Sequence, residues 1–383
     1  MKRLLLAVVI AVLVAAPVAA ALDRTQSRTL LRVAVKLSGL QARQQVRIVV
    51  APKPVFNKRR ISLLDRGYPR SLQNYDETVY RTLGLIEGGK GTLRKALIER
   101  QNRTGIYDPA SATAYVKAGR TERATAVHEL VHALQDQHFD LRRVARISNS
   151  DARAAATAAI EGHAGLVADV VAPKRTSAMP NDKLTRFLEL ERGFAYFVGL
   201  QFAADLRNLG GRSALLGALK RFPATSEQIF HIDKYLEREP ARAIVLPVDA
   251  AGMELAGDSS FGELDVRALM AVFDVPRLDQ VGSGWGGGRS AVYRGDAGEA
   301  VVIALDWDSD LDAQQWGEAV ATYVNEAFDA DVPGSPATSP CAATVCWELA
   351  GQTIAFRRSG DRTVLAISST GADADALALS LVP

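Results

Sequence analysis

The stretch from Thr121 to His138 contains neither glycine nor proline, and it carries His128-Glu129-Leu130-Val131-His132. Nothing in it stops an α-helix. Residues four apart on a helix lie on one face, about 6 Å along the axis, so both imidazoles point the same way and can grip one ion. Glu129, offset by one position, reaches a water on that ion without ligating it. Zinc held by histidines lowers the pKa of its bound water to about 7, and a nearby carboxylate can take that proton and pass it to a leaving amine. The flanks, Thr125-Ala126-Val127 and Ala133-Leu134, bring no competing charge, and Leu130 and Val131 suit a buried helix. A helix whose histidines are merely packed is the plain alternative.

A hydrolytic zinc site takes three protein ligands and keeps one position open, whereas a structural site closes with four. Two residues compete for the third place. His138 stands at the metzincin spacing from His128, but Gln135 occupies the position where that pattern has a helix-breaking glycine. On an unbroken helix His138 lies about 15 Å along the axis from His128. Glu161 falls in a second helical stretch, Asp151 to Val171, on a face made of Ala154, Thr157, Ala158, Ala164, Gly165 and Ala168. A carboxylate among small residues is costly to bury without a partner, and small neighbours let another helix come close. His163 is two positions on and faces elsewhere. Asp136, one turn past His132, is either an orienting carboxylate for that imidazole or a surface residue.

Other segments bound the setting. Lys2 and Arg3 precede an apolar run from Leu4 to Val14 and small residues up to Ala21, the three parts of a secretory signal peptide. We therefore expect a chain exported to the periplasm, the cell envelope or the medium, with no membrane span left after cleavage. The formal charge is +3, two of it from Lys2 and Arg3, which gives no reason to expect nucleic acid as a partner. Cys341 and Cys346 are the only cysteines, and in an exported chain they are expected to form one local disulfide.

Helices are expected over Thr25–Leu40, across the region up to Glu99, over Lys183–Asn208 (closed by Gly210-Gly211) and over Ser213–Arg221. A strand is expected at Val46–Val50, and a hairpin from Thr104 to Lys117 leads into the histidine helix. Polar and proline-containing residues from Arg238 to Ala251 read as a link. Beyond Phe261 the pattern turns to strands at Ser290–Tyr293, Ala300–Trp307, Trp347–Arg358 and Thr363–Ser368, with helices at Asp312–Phe328 and Ala374–Leu381. Gly282–Gly288 reads as a glycine-rich turn.

Three segments, His128–Leu141 (HELVHALQDQHFDL), Ala158–Val167 (AAIEGHAGLV) and Ser226–Tyr235 (SEQIFHIDKY), resemble gluzincins, zincin metallopeptidases whose third ligand is a Glu on a following helix. More closely, they and the tract Gly282–Tyr293 are similar to a poorly characterised family of exported bacterial and archaeal metallopeptidases. That resemblance implies an α+β fold with a zincin-like domain, mainly helical with a small mixed sheet, over residues 22–250. A small α+β C-terminal domain of unassigned role follows over 257–383, and residues 1–21 are the signal peptide. It implies His128, His132 and Glu161 as zinc ligands, Glu129 as general base, and His231, with Tyr235 on the same helix, as stabiliser of the oxyanion. It also implies that the hairpin strand before the active helix forms the rim along which a peptide or protein substrate lies. A non-catalytic zincin-fold protein that binds peptide or envelope partners is the competing reading. A closed structural metal site, with His163 or His138 as fourth ligand, is a third.

Overall fold

The protein is described by a computed structural model over residues 20–21, 24–99, 103–119, 122–168, 180–296, 298–330, 341 and 345–382. The expected signal segment lies mostly outside these residues. The chain is mixed α/β, with one small sheet and one larger curled sheet. In order, the first part runs β1 (Ala20–Ala21), α1 (Arg24–Ser38), β2 (Arg47–Ala51), α2 (Lys53–Gly67), α3 (Arg70–Thr82), α4 (Thr92–Glu99), β3 (Gly105–Asp108) and β4 (Thr113–Lys117). The strands pair in the order β1-β2-β4-β3, with β2 parallel to β4 and the other pairs antiparallel, so the sheet is small and mixed. β3 is an edge strand.

The expected active helix is α5 (Glu122–Phe139). Val127, Leu130, Val131, Ala133 and Leu134 are all buried, and so are His128, Glu129, His132 and Gln135. A helix apolar all round belongs in the core, and α1, β2 and β4 supply the packing through Leu30, Ala34, Ile48, Ala114 and Val116. The buried polar residues therefore have to satisfy one another.

The helix α6 (Ser150–Ala168) crosses α5 on one side. On its other side lie the π-helical turn (Phe194–Val198) that follows α7 (Lys183–Gly193) and the helix α8 (Gly199–Lys220) that continues from it. Of the small-residue stripe, Ala154 and Ala158 pack at this second crossing with Phe194 and Phe202, while Ala164 packs with α5. A Cβ placed on Gly162 would lie 1.9 Å from the Gly199 carbonyl oxygen, and one on Gly199 would lie 2.3 Å from that of Ala158. Backbone meets backbone here, with no flexible side chain to give way. Gly162→Ala is accordingly expected to cost about 1–3 kcal/mol or more, read from urea unfolding; a midpoint equal to the parent's would show that the crossing is looser than this. The break expected at Gly210-Gly211 is present as a kink, with φ −142° and +61° at the two glycines.

After α9 (Glu227–Phe230) and α10 (Ile232–Glu237) come β5 (Asp249–Ala250), β6 (Met253–Ser260), α11 (Glu263–Val272), α12 (Leu278–Gly282), β7 (Trp285–Gly295), β8 (Gly298–Trp307), α13 (Asp310–Phe328), β9 (Val345–Leu349), β10 (Gln352–Ser359), β11 (Arg362–Ser368) and α14 (Gly371–Leu381). The strands form one antiparallel sheet in the order β5-β6-β7-β8-β11-β10-β9. Alternation sorts its side chains between two layers. Val301, Ile303, Leu305 and Trp307 of β8 pack with Trp316, Val320 and Tyr323 of α13. Ala300, Val302 and Ala304 pack with Leu377 and Ala378 of α14. Burial on both faces is why these strands read as unbroken apolar runs. The expected disulfide joins Cys341 to Cys346.

Three sequence expectations need correction. Gly286, Gly287 and Gly288 lie inside β7 rather than in a turn. Their missing side chains admit other backbone, since a Cβ on Gly287 would meet the Arg242 carbonyl oxygen at 2.5 Å and one on Gly288 that of Phe261 at 2.1 Å. The run Trp347–Arg358 is two strands, turned at Ala350-Gly351, where Gly351 has φ +88°. The stretch read as a link already supplies an edge of the large sheet through β5. Moreover, Val79, Leu83, Leu85 and Phe187 share one apolar cluster with Trp307, Trp316 and Ile354. The two sheets' surroundings are thus joined by continuous core.

Candidate metal centre

His128 and His132 project from α5 toward Glu161 of α6. The His128 and His132 Nε2 atoms are 3.0 Å apart, and they lie 3.2 and 3.3 Å from Glu161 Oε2. Zinc bonds to imidazole nitrogen and carboxylate oxygen are about 2.0–2.2 Å, so ligand atoms on one tetrahedral face stand about 3.3 Å apart. The triangle matches that face, and these three residues form a possible metal-binding group. All three side chains are about nine-tenths buried.

The electrostatics point the same way. Burial alone would raise the Glu161 carboxyl, but the two imidazoles hold it well below the usual carboxylate range. Burial alone would depress His132, yet the Glu161 and Glu129 carboxylates carry it up to about 9. The pocket is built to hold positive charge. Glu129, 5% exposed, is pushed up chiefly by burial, against the pull of the two histidines. Its Oε1 rests against β3, where a Cβ on Gly105 would come within 2.4 Å of it; any side chain at that position would displace the carboxylate.

Gln135 makes a contribution that sequence reasoning missed. It is fully buried, and its Oε1 lies 2.8 Å from His132 Nδ1. Its amide nitrogen lies 3.0 Å from the Ile160 carbonyl oxygen and 2.8 Å from His163 Nδ1. An amide has two N–H donors, and both are committed here, which fixes its orientation. His132 Nδ1 must then be the donor to Oε1, and Nε2 is the ring nitrogen turned toward Glu161 and His128. His163, 1% exposed, has its pKa pushed down to about 3 by burial first and by the nearby His132 and Arg212; it is neutral and accepts from Gln135. It is a support, two bonds removed from the triad. Gln135→Leu is expected to weaken zinc binding about 10- to 100-fold, measured by competition with a chromogenic chelator, while Gln135→Glu, which keeps an acceptor, should lose less. Equal affinity in Gln135→Leu would remove the glutamine from this role.

Asp136 does not orient a ligand: it accepts from the Tyr107 hydroxyl at 2.9 Å and from the Leu141 backbone N–H at 2.8 Å, pinning the end of α5 to the hairpin. His138 is turned to the Gln41 carbonyl oxygen, 2.8 Å away, and has no part in the triad. His231 is not brought to the triad either. The chain is extended there (φ −122°, ψ 99°), between α9 and α10, so no single helix presents His231 and Tyr235 together. His231 Nε2 lies 3.0 Å from Glu263 Oε1, which also accepts from Arg267, and Tyr235 is buried against Phe202.

The residue beside the triad is instead Tyr196, whose hydroxyl donates to Glu161 Oε1 at 3.1 Å. It sits in the π-helical turn, one residue wider than an α-turn, of the sort that recurs at functional sites. Nothing in the local sequence announces that turn. Arg103, Gly105, Glu129, His132, Glu161 and Tyr196 all line one cleft of about 680 Å³, whose far wall includes Asp76, Asp265 and Ser260.

Residues 253–378 match a family model described as a domain of unknown function (DUF8575). That span covers most of the large sheet and leaves the triad outside it. No curated protein and no solved structure matches the chain. Among the described residues no helix is long and apolar enough to cross a membrane.

Proposed function

We propose that the chain is an exported zinc-dependent peptidase, with His128, His132 and Glu161 as zinc ligands and Glu129 as general base. The observation that carries this reading is the convergence of three ligand atoms at 3.0–3.3 Å, with a buried carboxylate beside them and an open cleft in front. Zinc bound there would supply a water of lowered pKa and a Lewis acid for the scissile carbonyl. Glu129, buried beside the triad, would serve as the general base that accepts a proton from water and returns it to the leaving nitrogen. Tyr196 donates its one hydroxyl proton to Oε1 of Glu161, which leaves Oε2 turned to His128 and His132, where it would meet the ion. Among the described residues β3 pairs along one edge only, with β4. Its other edge offers backbone groups to an extended peptide, which adds as a further strand.

The test combines metal analysis with a peptide-library digest, run before and after chelation and after restoring zinc. We expect one zinc per chain and cleavage that disappears and returns with the metal. Stoichiometric zinc with no cleavage of any peptide would place the chain with non-catalytic binding proteins; no zinc at all would end the reading.

A further inference from the structure

The peptidase reading accounts for the triad, Glu129 and Tyr196, but not for Arg103. This residue is exposed, and it lines the cleft together with Glu129, Glu161 and Tyr196. It precedes β3 by two residues, and the Lys117 N–H donates to the Thr104 carbonyl oxygen at 2.7 Å, so the β-ladder continues back beyond Gly105. In extended chain, alternate side chains fall on the same face. Gly105 is the position whose Cβ would point into Glu129, so Arg103 stands on the face turned toward the metal centre. The Tyr196 phenol and the carboxylates of Glu161 and Glu129 act on it and favour its cationic form. Among the described residues none accepts a hydrogen bond from its guanidinium.

Charge balance then asks for something more. A zinc ion bound to the triad would offset the carboxylates of Glu129 and Glu161 with its two positive charges, and Arg103 would be left as a cation without a counter-charge beside it. The other acids lining the cleft, Asp76, Asp151, Glu191 and Asp265, are not among the groups that act on Arg103; Asp265 accepts from the Gly262 backbone N–H, Asp151 from that of Ser226, and Asp76 from Tyr68. A planar fork of donors, open to solvent, matches a carboxylate in bidentate fashion.

We propose that Arg103 is a specificity-determining residue that binds a carboxylate of the peptide substrate close to the scissile bond. This rests on the peptidase reading for the word substrate, though not for the binding itself. The carboxylate comes either from the chain's C-terminus, which makes the enzyme a carboxypeptidase, or from an Asp or Glu side chain.

The experiment uses the full chain with zinc loaded, in a Glu129→Gln background so that no probe is consumed. Calorimetry compares N-acetyl-Gly-Phe with its C-terminal amide, and both with N-acetyl-Gly-Asp amide. We expect at least one carboxylate probe to bind about 10- to 100-fold more tightly than the neutral amide, as a charge-assisted hydrogen bond gives. That preference should vanish in Arg103→Ala and partly survive in Arg103→Lys, with zinc content unchanged in both. The winning probe tells a terminal from a side-chain carboxylate. Equal binding of all probes, no detectable binding, or a preference that persists in Arg103→Ala overturns the proposal. Should Arg103-dependent preference appear while the native chain cleaves nothing, the peptidase reading falls and the carboxylate site stands.

Discussion

Glu129→Gln is expected to bind zinc as tightly as the native chain and to hydrolyse peptide about 10²- to 10⁴-fold more slowly, the range that general acid–base catalysis contributes. The change replaces one carboxylate oxygen with an amide nitrogen and leaves the volume almost unaltered. Glu129 does not belong to the group of converging ligand atoms, so the metal has no reason to leave. It also fits closely against the backbone of Gly105, and an isosteric amide keeps that contact. Because burial already works against the ionised carboxyl, the variant is expected to be at least as stable as its parent. Steady-state turnover, metal content and a thermal melt, taken on one preparation, separate these effects. Native-like turnover in the zinc-loaded variant would remove Glu129 from the chemistry; loss of zinc would make it a ligand.

How far the site is legible in the sequence depends on what holds each residue in place. His128 and His132 share a face by helical periodicity alone, so their pairing is visible in a string of letters. Glu161 is visible more indirectly, as a charge set in a stripe of alanines and glycines. Gln135 illustrates the opposite case. Its position invites comparison with a helix-breaking glycine, and only the packing of α6 on α5 reveals that its amide ties His132 to His163 and Ile160. Tyr196 depends on a π-turn that ends at Gly199, where the chain passes close against Ala158, and that turn has no local signature. His231 fails for the converse reason: spacing of four promises a shared helical face, but the helix is interrupted at that residue.

The same division runs through the fold. Helices and strands with clean period, such as α13 or β8, stand close to where patterning puts them. β6 does not announce itself, because the exposed Glu254, Ala256 and Asp258 alternate with Leu255, Gly257 and Ser259, which are only partly covered. The glycines of β7 look like a turn because the same letter serves φ freedom and close approach of backbone, and only the neighbours Arg242 and Phe261 tell the two apart.

Glu161→Ala is expected to lower zinc affinity by on the order of 10³-fold or more, since it removes one of the three proposed ligands, and a zinc site of this kind has a total binding energy on the order of 10 kcal/mol. The loss is more than a missing bond. Without the carboxylate, two imidazole nitrogens 3.0 Å apart face each other with no anion between them, and Tyr196 loses its acceptor. Zinc-dependent stabilisation provides a second readout. A ligand at 100 times its dissociation constant stabilises the folded state by about 2.7 kcal/mol, so the native chain should melt higher with zinc than without, and Glu161→Ala should show almost no such shift. His138→Ala is the matched control, because its ring is engaged by the Gln41 carbonyl oxygen rather than by the triad; it should keep both the metal and the shift. The reverse pattern, zinc lost with His138 and kept without Glu161, would require α5 to break near Gln135 and would move the chain to the metzincin arrangement.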